Sequence, residues 1–117
     1  MFPEPSSANL PHDIDTAELA SRLSGGNPPI VAEILGPRYF EAGHLPGAVN
    51  LPLDGLLEQA AQTLPDRAAE IVVYCASTTC QNSHIAQRKL LSVGYRNVRL
   101  YRGGKAAWQE AGLVLST

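Results

Sequence analysis

The sequence predicts an α/β fold in which a parallel sheet carries helices on both faces. Three observations predict it. Short apolar strands alternate with helical patterns along the chain, the order that builds parallel βα units. The run Ile71-Val72-Val73-Tyr74 is mostly β-branched and unbroken, as a strand covered on both faces must be. The 117 residues suffice for one domain whose core needs neither disulfide staples nor a structural metal.

The elements follow in order. Residues 1–12 are rich in Pro and Ser and are expected to form a loose N-terminal arm of a single domain spanning residues 1–117. Asp15 and Glu18 form a capping-box pattern, Leu19 and Leu23 share a helical face, and Gly25-Gly26 ends that helix. Ile30 to Leu35 reads as a buried strand. Gly36-Pro37 breaks it, and Pro37 suits the first turn of a short helix through Ala42. Ala48 to Leu51 is a second short strand. Asp54 is a candidate cap for a helix bearing Leu56, Leu57, Ala60 and Leu64. After Ile71–Tyr74 comes a polar loop, Cys75 to Asn82. A helix follows with Ala86, Leu90 and Val93 on one face and Gly94 at its end. Asn97 to Tyr101 is another strand, and Gly103-Gly104 turns into a last short helix carrying Trp108 and ending at Gly112.

Composition excludes several classes. Hydrophobic residues make up 44% and charged residues 17%, a globular and not a disordered mixture. No apolar run approaches the roughly 20 residues of a membrane helix. The net charge of −2 argues against a general nucleic-acid binder. The charge is uneven, with six bases (Arg88, Lys89, Arg96, Arg99, Arg102, Lys105) and only Glu70 and Glu110 as acids in residues 70–117. That asymmetry fits either solvated helix faces or a positive field near a site for a small anion. The first residues lack the basic and apolar regions of a signal peptide, and two cysteines make no disulfide framework. The expected compartment is the cytoplasm, where thiols stay mostly reduced.

In an open parallel sheet, ligands bind beyond the carboxyl ends of the strands. Cys75 stands there, after the most apolar strand. The residues that follow (Ala76, Ser77, Thr78, Thr79, Cys80, Gln81) are small or polar and lead into a helix. Their amides could curl around the sulfur or a bound anion, which would favour thiolate over thiol. A buried, inert cysteine at a strand end fits the same residues.

Three stretches resemble a known family. Gly43-His44-Leu45-Pro46-Gly47-Ala48-Val49-Asn50-Leu51-Pro52 is similar to the "GHIPGAINIP" signature of rhodanese-like proteins. Tyr74-Cys75 falls where that family places its catalytic cysteine. Arg102-Gly103-Gly104-Lys105-Ala106-Ala107-Trp108, then Ala111-Gly112-Leu113, resembles the family's "GG…AW…AG" ending. The resemblance covers nearly the whole chain. It implies a rhodanese-like three-layer α/β sandwich with a central, mostly parallel sheet. It also implies a sulfurtransferase that passes a sulfane sulfur through a Cys75 persulfide, with Ala76 to Gln81 binding the transferred sulfur and its donor. The implied partners are a small anionic sulfur donor and a thiol or cyanide acceptor, or a protein persulfide. No metal, organic cofactor, nucleic acid or membrane is called for. The alternative is a non-catalytic or redox-sensing binding module that uses Cys75 and Cys80.

The chain departs from the family in places. The segment from Cys75 to Gly94 is slightly longer than in compact bacterial members and lacks their loop glycine and arginine. Phosphatases of this fold carry a Cys-x5-Arg pattern, but the matching position here is Gln81, so a phosphate dianion would meet no fixed guanidinium. The family's Asp-x-Arg upstream is represented by Glu33, Ile34 and Leu35, which keeps an acid and loses the arginine. The resemblance implies that these groups tie the loop region together.

Cys80 is an extra loop residue that either resolves a persulfide or sulfenic acid on Cys75 or has no role. A bond between them needs Cα atoms roughly 4.4–6.8 Å apart. His84 with Cys75 and Cys80 would supply only three metal ligands, so an exposed helix position is the expectation. His44 is expected to bond backbone near the Gly43–Gly47 turn, with a base for Cys75 as the alternative, and His12 to be solvated in the arm. Asn82 or Ser83 is expected to cap the helix after the loop. Hydroxyls of Ser77, Thr78, Thr79 and Ser83 surround the sulfur in the functional reading. Trp108, Phe40 and Leu100 are expected in the core. Arg102 stands either as an anion guide or as a surface residue.

Overall fold

The computed structural model describes residues 13–117, so the arm and His12 lie outside the described residues. Nine elements follow in chain order: α1 Thr16–Leu23, β1 Ile30–Glu33, α2 Pro37–Ala42, β2 Val49–Asn50, α3 Leu56–Thr63, β3 Glu70–Tyr74, α4 Asn82–Ser92, β4 Asn97–Tyr101 and α5 Gly104–Glu110. The four strands form one sheet in the order β2-β1-β3-β4, and every pairing is parallel. No helix among the described residues is long and apolar enough to cross a membrane.

The period of two along β3 divides the core. Ile71 and Val73 face one side with Ala60, Leu64, Ala86 and Leu90 of the α3/α4 layer. Val72 and Tyr74 face the other with Leu19 and Trp108 of the α1/α5 layer. All four β3 residues from Ile71 to Tyr74 are fully buried, which is why the run carries no polar alternation. The result is the three-layer sandwich. Register places Glu33 beside Asn50 and Tyr74, and Tyr74 beside Tyr101. The loops leaving these strands therefore gather at one edge.

Local signals act as expected at several points. Asp15 accepts a hydrogen bond from the Glu18 amide at 2.8 Å. Glu18 does not complete the box, because its carboxylate reaches Arg99 instead, at 3.0 Å. Pro37 occupies the first turn of α2. Asp54 does not cap α3: Gly55, in a left-handed conformation, takes the cap position with no side-chain bond. Nor does Asn82 or Ser83 cap α4, whose cap position is Gln81. Both side chains are engaged elsewhere, Asn82 with the Ile34 carbonyl at 3.1 Å and Ser83 with the Cys75 sulfur. Trp108 and Leu100 are both buried in the core, as expected, and Trp108 donates to the Val114 carbonyl at 3.1 Å, but Phe40 is not a core residue. Leu100 lies on the opposite face of the sheet, and Phe40 is half-buried and stacks on His44 at 3.8 Å.

Gly104 marks a close approach of α5 to the loop after β3. Its φ is +61°, and a Cβ there would fall 2.2 Å from the Cys75 carbonyl oxygen. Gly103 is similarly confined by Ala107, 2.3 Å from its own virtual Cβ. Gly104→Ala is expected to cost at least about 2 kcal/mol, from overpacking plus the left-handed backbone. Urea unfolding checks this, and an unchanged midpoint would mean that α5 docks without the contact.

Ion pairs bind α1 to the sheet. Glu70 pairs with Arg22 and, at 3.4 Å, with Arg99. The hydrogen bond from Arg22 holds the Glu70 carboxyl below the usual carboxylate range, and the Arg99 charge adds to it. A depressed folded pKa gives stability that is present above the unfolded value and lost as pH falls through the folded one. Glu70→Gln should therefore flatten the acid limb of the stability profile below about pH 4.5, by up to about 1 kcal/mol for a partly solvated pair. Chemical denaturation across that range measures it, and an unchanged limb would mean that Glu70 is solvated like an ordinary carboxylate.

Candidate active site

Cys75 directly follows β3 and is 1% exposed. Its sulfur lies 3.5 Å from the Ser83 hydroxyl, which is itself buried on the first turns of α4. The loop between them turns back at once. The Cys80 amide donates to the Ser77 carbonyl at 3.1 Å, closing a tight turn of the type favoured by small polar residues. The Ser77 and Thr79 hydroxyls bond each other at 3.0 Å. This turn carries Cys80 over Cys75: the two are joined as a disulfide with Cα atoms 6.3 Å apart. The proximity that the sequence left open is therefore real. Ala76, Thr78, Thr79 and Gln81 are exposed, and Ser77 and Cys80 are half-buried. Of the four hydroxyls expected around the sulfur, Ser83 meets it in this state, while Ser77 and Thr79 satisfy each other.

Helix α5 fixes this loop from below. The Lys105 amide donates to the Cys75 carbonyl at 3.1 Å, and the Ala106 amide to the Ala76 carbonyl at 2.9 Å. First-turn amides have no partner inside their own helix, so the loop carbonyls satisfy them. A side chain at Gly104 would block this approach.

A buried acid sits beneath the same loop. Glu33 is fully buried and accepts from the Tyr74 hydroxyl at 2.7 Å. Its other oxygen is 2.9 Å from the Lys105 ammonium, which also donates to the Tyr39 carbonyl at 2.7 Å. The Tyr74 hydroxyl accepts in turn from the Leu45 amide at 3.0 Å. Burial and the neighbouring carboxylate raise the Tyr74 pKa, so it stays a donor. Lys105 thus supplies the cation that the Leu35 position lacks. Sequence reading missed this pairing. The signal was present as an acid in an apolar strand, which demands a buried partner.

The remaining candidates divide. His44 bonds the Phe40 carbonyl at 2.8 Å, the backbone role expected of it. His84 is half-buried on α4, and burial together with the Arg102 charge lowers its pKa. Arg102 donates to buried Asp13 at 2.5 Å. The pairing holds its guanidinium on Asp13, which disfavours the anion-guide role. Among the described residues, no group of three or more His, Cys, Asp or Glu is placed to hold a metal ion.

Removing one member of a buried pair strands the other charge. Lys105→Met is expected to destabilise the fold by about 3–5 kcal/mol, with partial recovery in the Lys105→Met/Glu33→Gln double variant. Thermal and urea unfolding of the three proteins check it, and purely additive losses would mean that the pair is not coupled.

Known proteins share this architecture. The family model "Rhodanese-like domain" matches residues 15–111. A sulfurtransferase from Allochromatium vinosum is 30% identical over 104 residues, covering 89% of this chain and 94% of that protein. An HTH-type transcriptional regulator from Mycobacterium tuberculosis is 35% identical over 100 residues, covering 86% of this chain but only 42% of the regulator. The solved rhodanese-like domain of an Anabaena protein superimposes with a TM-score of 0.81 at 28% identity, covering 92% of this chain and 80% of that one. A family match over most of the chain, a relative aligned nearly end to end and a close structural superposition agree: this chain belongs to the rhodanese-like domain family.

Proposed function

We propose that this chain is a rhodanese-type sulfurtransferase with Cys75 as its nucleophile. One observation carries the reading: the Cys75 sulfur stands at the carboxyl end of β3, before the N-terminus of α4, with the buried Ser83 hydroxyl 3.5 Å away. A helix N-terminus and a hydroxyl donor both favour thiolate over thiol. The reactive form is the dithiol.

In this reading the Cys75 thiolate attacks the outer sulfur of thiosulfate. The donor's S–S bond breaks, and its electron pair leaves with sulfite. The persulfide on Cys75 is held by loop amides between Ala76 and Gln81 other than that of Cys80, which is committed to the Ser77 carbonyl. A thiol, cyanide or protein acceptor then attacks the outer sulfur and expels the Cys75 thiolate, a ping-pong sequence. With no charged residue between Ala76 and Gln81, the loop offers a dianion only its amides. Thiosulfate is therefore a weak donor, and a low-molecular-weight or protein persulfide is the better candidate for the natural one. The competing reading of a non-catalytic binding module is not favoured, because a relative that aligns over most of both chains carries an enzyme's name.

The test is sulfite release from thiosulfate by the reduced protein, alongside intact mass of the Cys80→Ser variant. The expected results are sulfite from wild type, background in Cys75→Ser, and a one-sulfur adduct on Cys80→Ser that cyanide removes. Sulfite release that survives in Cys75→Ser would contradict the assignment. Ser83→Ala should lower kcat/KM about tenfold, the worth of one hydrogen bond to a charged sulfur. An unchanged kcat/KM would remove Ser83 from the thiolate's support.

A further inference from the structure

We infer that Cys80 is a second catalytic residue, which discharges the Cys75 persulfide inside the protein and releases the sulfur as hydrosulfide. The inference rests on the proposed loading of Cys75. Three observations support it. The two cysteines reach bonding position within the folded chain, with Cα atoms 6.3 Å apart. A local turn, closed by the Cys80 amide on the Ser77 carbonyl, provides the approach. The loop also lacks a cation to hold an anionic co-substrate, so the nearest nucleophile to the persulfide is the Cys80 thiolate itself.

The step balances without an external oxidant. The Cys80 thiolate attacks the inner sulfur of the Cys75 persulfide, Sγ. The Cys75–Cys80 disulfide forms, the persulfide S–S bond breaks, and the outer sulfur leaves with the electron pair as hydrosulfide. The two electrons come from the dithiol. Over one turnover, dithiol plus thiosulfate gives disulfide, sulfite, hydrosulfide and a proton.

Resetting the site needs a reductant of the thiol class, and the geometry selects its point of attack. Cys75 is 1% exposed in the disulfide, whereas Cys80 is half-buried. A thiolate from solvent therefore attacks the Cys80 sulfur. The leaving group is the Cys75 thiolate, beside the Ser83 hydroxyl that stabilises it. A second thiol frees Cys80 and restores the dithiol. The disulfide is thus the product state of one half-reaction, which places the chain among reactions that convert sulfane sulfur to hydrosulfide at the expense of thiols.

The experiment is a single turnover of the prereduced, desalted protein with thiosulfate and no added thiol, following sulfite, hydrosulfide, free thiols and intact mass. Wild type should release sulfite and hydrosulfide in equal amounts, lose both thiols and keep no adduct, with a hydrosulfide rate independent of protein concentration. Cys80→Ser should release sulfite and hold the sulfur on Cys75, with hydrosulfide at least roughly tenfold lower. A wild-type protein that keeps the one-sulfur adduct and both the Cys80 thiol and its mass would overturn the inference and leave the sulfurtransferase reading standing. A hydrosulfide rate that rises with protein concentration would also overturn it, since the resolving thiol would then belong to another molecule. Sulfite from no form of the protein would remove the reading on which the inference rests, and the inference with it.

Discussion

The docking of α5 against the loop after β3 is the contact on which the site depends. Two first-turn amides of α5, those of Lys105 and Ala106, satisfy the carbonyls of Cys75 and Ala76. That approach is open only to a residue without a side chain, and Gly104 provides it. The backbone at the sulfur is therefore set from below, by a helix that arrives late in the chain. The loop above it is left to side chains that are small, polar and uncharged. Rigidity beneath and adaptability above suit the bond exchange proposed for Cys75.

The buried pair of Glu33 and Lys105 extends the same logic. An acid at the end of β1 and a base on α5 meet under the cysteine loop and bring Tyr74 and the Leu45 amide into one network. Leu45 belongs to the segment Gly43 to Pro52, and Lys105 follows Gly103-Gly104, so two sequence signatures far apart in the chain are tied through one hydroxyl and one carboxylate. A buried ion pair adds little net stability compared with apolar packing, but it penalises arrangements in which either partner is missing. Its effect here is on placement: it holds the ends of β1 and β3 and the start of α5 in one geometry.

Much of this was legible in the sequence because it is local. The Ile71–Tyr74 run, the Asp15 cap, Pro37 in the first turn of α2 and the Gly103-Gly104 turn each act through neighbours, and they read correctly. What was not legible is tertiary. Asp54, Asn82 and Ser83 are good cap residues, but Gly55 takes the cap of α3, while Asn82 reaches Ile34 and Ser83 turns to the sulfur. Leu100 and Trp108 are both apolar and buried, but strand alternation sends Leu100 to the opposite layer. The position of Cys75 could be named from its strand and its family resemblance. Its bond to Cys80 could not, because spacing alone does not say how a loop turns. The Glu33–Lys105 pair escaped notice for the same reason, since its members lie on β1 and α5.

Activation of the Cys75 thiol by the fold is read from the pH dependence of Cys75 alkylation in the Cys80→Ser variant, followed by mass spectrometry under native conditions. The expected rate has a midpoint clearly below the roughly 8.5 of an ordinary thiol. A midpoint at or above that value, or a thiol that reacts only once the protein is unfolded, would make Cys75 a buried, inert strand-end cysteine.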